Sequence, residues 1–359
     1  MKKKVFFVIP SIEIGGAEKM LVNLSENFNM EKEIDVTLIS CYEKPLENAL
    51  TYSNSLKIVF LNQDSTLKAF FPLYTMITTE QPDIVISSII NLNIMLGFMK
   101  FFCRMINTKF VARETLIPSL QYQSPLSRLF IKTMCRLTYP LFDKIIFQSE
   151  YMKDDFLNFV GDVNENVVIN NFVDDSIIPT KDHLSNEFIE LVFVGRIADV
   201  KQVNKSIDVL SMLPENYRLN IVGDGPLLNI IKDYVHKSDL ENRVRFVGFT
   251  NDPYSEMKKS DALILTSHYE GFPNVMLEAL CVGIPVFTFL SPGGIRELAD
   301  KVYKNKFNQY CCVVNDSNAL SEKIKQYFSS SRDEVNYRAK VLESFSKSVI
   351  LKKYLEIIR

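Results

Sequence analysis

Short apolar runs recur along the whole chain, each followed by a turn and then a stretch of helical period. This alternation constrains the fold more than any other feature of the sequence. Runs of strand character stand at Lys4–Ile9, Ile34–Ser40, Lys57–Leu61, Asp83–Ser87, Lys109–Ala112, Lys144–Gln148 and Asn166–Asn170. Gly15-Gly16-Ala17-Glu18 leads into a helix to about Met30, and helices are expected over Leu67–Glu80, Asn91–Met105, Pro125–Tyr139 and Glu150–Phe159. The polar segment Asp174–Asn186, with Pro179, reads as a linker, and the pattern then starts again. Strands follow at Phe188–Val194, Arg218–Val222, Val244–Val247, Ala262–Thr266, Pro285–Phe289 and Tyr310–Val314, with helices between them. Strands separated by helical segments imply a largely parallel sheet covered on both faces. A chain of 359 residues exceeds one typical domain, so the predicted architecture is α/β with two doubly wound domains.

Composition removes several function classes. Net charge is −2, which gives no polyanion-binding character, and no nucleic-acid partner is expected. The opening Met1-Lys2-Lys3-Lys4 resembles the start of a signal peptide, but the apolar run Val5–Ile9 is short and Pro10 ends it. The longest apolar stretch, Ile84–Ile106, is interrupted by Asn91, Asn93, Lys100 and Arg104, which makes a poor membrane span. A cytoplasmic protein is expected. Six cysteines (41, 103, 135, 281, 311 and 312) form no C-x-x-C pair and most lie in apolar runs. They read as buried reduced thiols rather than disulfides or a metal site. Charge is locally biased: between Met95 and Lys144, eight cations face only Glu114 and Asp143. Arg128, Lys132 and Arg136 fall at i, i+4 and i+8 beside Leu129, Phe130, Ile131, Met134 and Leu137. A basic amphipathic helix of that kind either rests on an anionic membrane surface or is a solvated face packed by its other side.

The chemistry-bearing motifs cluster in the second half. Glu270–Glu278 reads E-G-F-P-N-V-M-L-E and follows the apolar run Ala262–Thr266. Pro273 fits a first helical position and Asn274 is a good N-cap, so a strand, a glycine turn and a helix start place unpaired helix N–H groups beside the loop, which suits an anion. Glu270 lies just before that point and Glu278 about one turn inside the helix. A phosphate site flanked by two hydroxyl acceptors is what a nucleotide-sugar needs. Val194-Gly195-Arg196 ends an earlier strand and Lys201 follows, a pair of cations able to reach a diphosphate. Ile221-Val-Gly-Asp-Gly-Pro226 and Ser291-Pro-Gly-Gly-Ile-Arg-Glu297 end two further strands in glycine loops. Each glycine loop alone reads as punctuation. Loops at the carboxyl ends of strands in one sheet converge where such folds bind ligands.

In this order V-G-R with Lys201, G-D-G-P and E-x7-E resemble the retaining glycosyltransferases of family 4, and Gly15-Gly16-Ala17-Glu18 resembles that family's opening glycine loop. The resemblance implies the GT-B fold, two Rossmann-like domains facing across a cleft. It makes 1–175 the acceptor-binding domain, 186–343 the nucleotide-sugar domain and 344–359 a final helix crossing back to the first. It implies a donor sugar carried on a nucleoside diphosphate, UDP being expected, and a saccharide or polyprenyl-linked acceptor in surface glycan assembly. Arg196 and Lys201 would bind the diphosphate, Glu278 the ribose, and Glu270 the hydroxyls of the sugar. Gly271, Phe272, Pro273 and Asn274 would contribute backbone, with Gly195, Gly15 and Gly16 close to the donor. No metal and no cofactor are implied, because cations take the metal's task. There is one departure. Many members carry a histidine after the strand equivalent to Lys109–Ala112, where this chain has Arg113 and Glu114, its three histidines being 183, 236 and 268. Arg113 and Glu114 become the acceptor-side candidates, and His268 reads as a loop residue. Two alternatives stay open: a nucleotide-sugar 2-epimerase of the same architecture, and a catalytically silent partner marked by loss of Glu270, Arg196 or Lys201.

Overall fold

The computed structural model describes residues 2–12, 15–43, 52–103, 107–163, 165–176, 178, 187–312, 316–330 and 336–358. Arg104 and Met105, the linker positions Pro179 to Asn186, His183 among them, and Val314 lie outside these. The chain divides into two compact units, Met1–Asn171 with Leu351–Arg359, and Phe172–Ile350.

The N-terminal unit holds a sheet of β1 (Lys3–Ile9), β2 (Ile34–Ser40), β3 (Lys57–Phe60), β4 (Ile84–Ser88), β5 (Lys109–Arg113), β6 (Lys144–Phe147) and β7 (Asn166–Val168). The order is β3-β2-β1-β4-β5-β6-β7 and every pair is parallel. Val5 to Ile9 are all buried, as the continuous apolar run requires of a strand covered on both faces. The helix Gly16–Asn29 lays Met20, Leu21, Leu24 and Phe28 on the sheet, and Phe28 stacks on Phe7 with ring centres 5.8 Å apart.

Element starts follow local chemistry. The helix expected from Leu67 begins at Phe70, because Pro72 lacks an N–H and is tolerated only in a first turn. Ser149 caps the helix Glu150–Val160, its hydroxyl accepting from Met152 N–H at 3.2 Å, and Gly161 ends it at φ +112°. The helix Ile90–Cys103 packs on Pro125–Thr138 closely enough that a Cβ on Gly97 would stand 2.5 Å from Thr138 Cβ. Cys41, Cys135, Cys281, Cys311 and Cys312 are free and buried, and burial raises the Cys41 thiol to about 12.

The second unit holds β8 (Ile189–Val194), β9 (Tyr217–Val222), β10 (Val244–Gly248), β11 (Ala262–Leu265), β12 (Val286–Phe289) and β13 (Cys311–Cys312), in the order β10-β9-β8-β11-β12-β13. All its pairs are parallel. Strand order reverses between β1 and β4 in one sheet and between β8 and β11 in the other. The carboxyl edge at such a reversal is where doubly wound sheets open a crevice. The expected fold class, two Rossmann-like parallel sheets, is borne out.

A polar cluster lies inside the N-terminal unit, under the end of β5. Arg113 is fully buried; its Nε donates to Tyr354 Oη at 3.1 Å and one Nη to Asn171 Oδ1 at 2.5 Å. Glu114 is buried too, and its Oε1 accepts from Asn93 Nδ2 at 2.5 Å and from the Tyr139 hydroxyl. Its Oε2 has no hydrogen-bond partner among the described residues. Burial outweighs these bonds and the Arg113 charge, and the carboxyl rises from 4.5 to about 7.

With a folded value above the unfolded one, stability from this group is full below pH 4.5 and is lost as pH rises through 7. Glu114→Gln keeps the shape and removes the titration. Chemical denaturation should therefore show the variant gaining about 3 kcal/mol on wild type between pH 4 and pH 8. A difference that does not change with pH would contradict this assignment of Glu114.

Candidate active site

Three loop tails meet at the carboxyl edge of β8, β11 and β12. After β8, Gly195 N–H donates to Val222 O at 3.0 Å and Ile197 N–H to Asp224 O at 2.8 Å, which lays this loop along the one that leaves β9. That contact explains the G-D-G-P glycines. Gly223 sits at φ +133°, and a Cβ there would enter Gly195 O, while one on Gly225 would enter Ile197 O. The two loops approach backbone to backbone, and side chains are excluded for packing reasons.

Arg196 projects from this loop and is exposed. A short turn, Asp199–Lys201, then reverses at Gln202, whose φ of +45° is left-handed. The reversal turns Lys201 back along the loop, its Cε standing 3.8 Å from where a Gly195 Cβ would be. The tail of β11 is stitched to this turn: Thr266 Oγ1 donates to Gln202 O at 3.0 Å and His268 N–H to Val200 O at 2.7 Å. Glu270 thereby meets Lys201, Nζ to Oε1 at 2.6 Å. Ser267, fully buried, donates its hydroxyl to the same oxygen at 2.6 Å. From the third tail, Pro292 O accepts from Glu270 N–H and Gly294 N–H donates to Glu270 O, both at 3.0 Å. Glu270 is held by three loops at once, with its side chain 11% exposed.

The helix Asn274–Val282 comes next in the chain. Here the structure corrects the expected cap: Pro273 occupies the N-cap position, no side chain caps the helix, and Asn274 is its first residue. Pro273 has no N–H, and Asn274 N–H donates to Phe272 O at 3.0 Å. Phe272 is buried and pairs with Phe345 at 5.8 Å between ring centres, so its ring belongs to the core. Met276, Leu277, Ala279 and Leu280 are buried, whereas Glu278 is half-buried and accepts from Tyr254 Oη at 3.1 Å.

Other predicted residues lie elsewhere. Gly15 and Gly16 belong to the N-terminal unit, where Gly15 precedes the helix Gly16–Asn29 in extended conformation. Arg113 and Glu114 are inside that unit with no exposed surface, which corrects their reading as acceptor-facing groups: both are bonded into the cluster under β5. His268 is exposed on the loop. Sequence reasoning passed over Ser267 and Tyr254, the hydroxyls that hold the two glutamates; a serine three positions before Glu270 at a strand end was the available signal. Among the described residues, no group of three or more His, Cys, Asp or Glu side chains is placed to hold a metal ion.

Residues 175–342 match the family model for glycosyl transferases group 1. An uncharacterized glycosyltransferase of Methanocaldococcus jannaschii is 26% identical over 75% of this chain and 72% of its own. The Campylobacter jejuni N-acetylgalactosamine-N,N'-diacetylbacillosaminyl-diphospho-undecaprenol 4-alpha-N-acetylgalactosaminyltransferase is 25% identical over 82% of this chain and 83% of its own. Among solved structures, Anabaena HepE in complex with UDP and glucose superposes with a TM-score of 0.82 at 20% identity, covering 99% of both chains. Residues 175–342 thus resemble the group 1 glycosyl transferases, and the chain as a whole shares the two-sheet GT-B fold of HepE.

Proposed function

We propose that this is a retaining, metal-independent transferase of the family 4 kind, moving a sugar from a UDP-sugar to a saccharide or polyprenyl-diphosphate-linked acceptor in surface glycan assembly. The Lys201–Glu270 pair at the strand-order reversal of the second sheet carries the reading. It is supported by the UDP in the HepE structure and the diphospho-undecaprenol in the Campylobacter enzyme's name.

Each role has its chemistry. Arg196 and Lys201 take the diphosphate, the exposed guanidinium able to bind two oxygens. Glu278 accepts from ribose hydroxyls and Glu270 from those of the sugar. Since Pro273 has no N–H, backbone donation falls to Gly271, Phe272 and the first turn beyond Asn274. As the sugar–oxygen bond breaks, negative charge gathers on the diphosphate, and the two cations with the helix N-terminus stabilise it. The acceptor hydroxyl attacks from the same face and yields its proton to a diphosphate oxygen, so configuration is retained without a protein nucleophile. Gly15 and Gly16 leave the backbone beyond β1 free of side chains. The silent-partner reading is disfavoured because Arg196, Lys201 and Glu270 are all present.

A peripheral membrane contact belongs to this reading. No helix of the described residues is long and apolar enough to cross a membrane. On the helix Pro125–Thr138, Leu126, Leu129, Phe130 and Leu137 are exposed together with Arg128 and Arg136, and Lys132 is half-buried. Arg128 lies over Phe159 and Arg136 Nε donates to Val160 O at 2.6 Å, so both keep their stems on the protein. Apolar and cationic side chains on one exposed helix suit the interface of an anionic bilayer.

Two experiments test this. With a panel of UDP-sugars and a polyprenyl-diphosphate saccharide, Glu270→Gln should lower turnover about a hundredfold, and NMR of the wild-type product should show an α linkage from an α-linked donor. A β linkage, or donor conversion with no acceptor present, would overturn the transferase mechanism. In vesicle flotation, wild type should bind phosphatidylglycerol vesicles at low salt, and Arg128→Gln with Lys132→Gln should weaken binding roughly tenfold or more. Equal binding to neutral vesicles would contradict the charge contribution.

A further inference from the structure

Glu270 has two carboxylate oxygens with unequal surroundings. Oε1 accepts from Lys201 Nζ and from Ser267 Oγ, each at 2.6 Å. Oε2 accepts no hydrogen bond among the described residues, and it is the oxygen left for a ligand. Two donors on Oε1 fix which way the carboxylate plane faces. They are unequal in kind. Lys201 is a flexible cation that the donor-binding reading sends to the diphosphate. Ser267 is fully buried at the end of β11, and its single hydroxyl proton is committed to Glu270. Its backbone is fixed as well, since Ser267 O accepts from Ser291 Oγ at 2.5 Å, and Ser291 belongs to the loop that pairs with Glu270.

We propose that Ser267 is a positioning residue: its buried hydroxyl keeps the Glu270 carboxylate oriented, with Oε2 toward the sugar, when Lys201 turns to the diphosphate. The exchange is self-consistent. In the structure Lys201 and Ser267 share one oxygen. Once the ammonium finds phosphate oxygens, the serine bond alone opposes rotation of the glutamate side chain. An O–H donor to a carboxylate at 2.6 Å is in the charge-assisted range, and Ser267 itself has no exposed surface. Ser291 extends the effect, because losing its hydroxyl frees the carbonyl of Ser267.

This inference rests on the donor-binding reading of the site, and the test separates the two. Turnover of the preferred UDP-sugar, UDP affinity and thermal midpoint would be measured for wild type, Ser267→Ala, Ser267→Thr, Ser291→Ala, Glu270→Gln and the double variant Ser267→Ala/Glu270→Gln. The expected result for Ser267→Ala is a fall in kcat of about ten- to a hundredfold, with KM for the donor and Kd for UDP moving less than about threefold. Ser267→Thr, which keeps the hydroxyl, should recover most of the loss, and Ser291→Ala should show a smaller fall of the same kind. In the Glu270→Gln background the serine substitution should cost less than about twofold, because its target is gone. An equal cost in both backgrounds, or a loss explained by a lower thermal midpoint, would overturn the positioning role. Should Glu270→Gln itself turn over like wild type, the donor reading fails and this inference with it.

Discussion

Lys201 and Glu270 stand 69 positions apart, and parallel pairing brings their side chains to 2.6 Å. β8 and β11 are neighbours in a parallel sheet, so the chain leaves both at the same edge. The loops that leave these two strands must then share space. The bonds from Thr266 to Gln202 O and from His268 N–H to Val200 O fix that meeting before either charged side chain is considered. The ion pair is 21% and 11% exposed on its two sides, which leaves it weakly screened but open to exchange with an incoming anion.

The two glutamates placed just beyond strand ends show how environment assigns roles. Glu114 is shut away with Tyr139 and Asn93, has an orphaned oxygen, and is pushed up to about 7. Glu270 has an ammonium and a hydroxyl on one oxygen and an opening at the other. The first carboxyl binds the sheet to its covering elements; the second, in the proposed function, accepts hydroxyls of the sugar. Arg113 makes the same point for cations. Its guanidinium is spent on Tyr354 and Asn171 inside the protein, whereas Arg196 is exposed at the sheet edge.

Much of this was legible in the sequence, because strand and helix periods are local signals. The sheets and the positions of Arg196, Lys201, Glu270 and Glu278 at strand ends and a helix start follow from apolar runs and glycine turns. The features that stayed hidden depend on distant partners. Arg113 meets Tyr354 across 241 positions, and no local pattern announces that contact. The G-D-G-P glycines read alone as punctuation, but what constrains them, the carbonyls of Gly195 and Ile197 supplied by another loop, has no local signal. Pro273 took the cap position expected of Asn274. Ser267 escaped notice because a serine at a strand end is common, and only its 2.6 Å bond to Glu270 sets it apart.

The central claim is that the carboxyl edge of the second sheet binds a nucleoside diphosphate through its own cations and Glu278. Calorimetric titration of UDP and GDP, in EDTA, into wild type and Glu278→Ala tests it most directly. The account predicts that UDP binds without metal and that the substitution weakens it about tenfold or more. Absence of UDP binding in EDTA, or equal affinity in the two proteins, would contradict it.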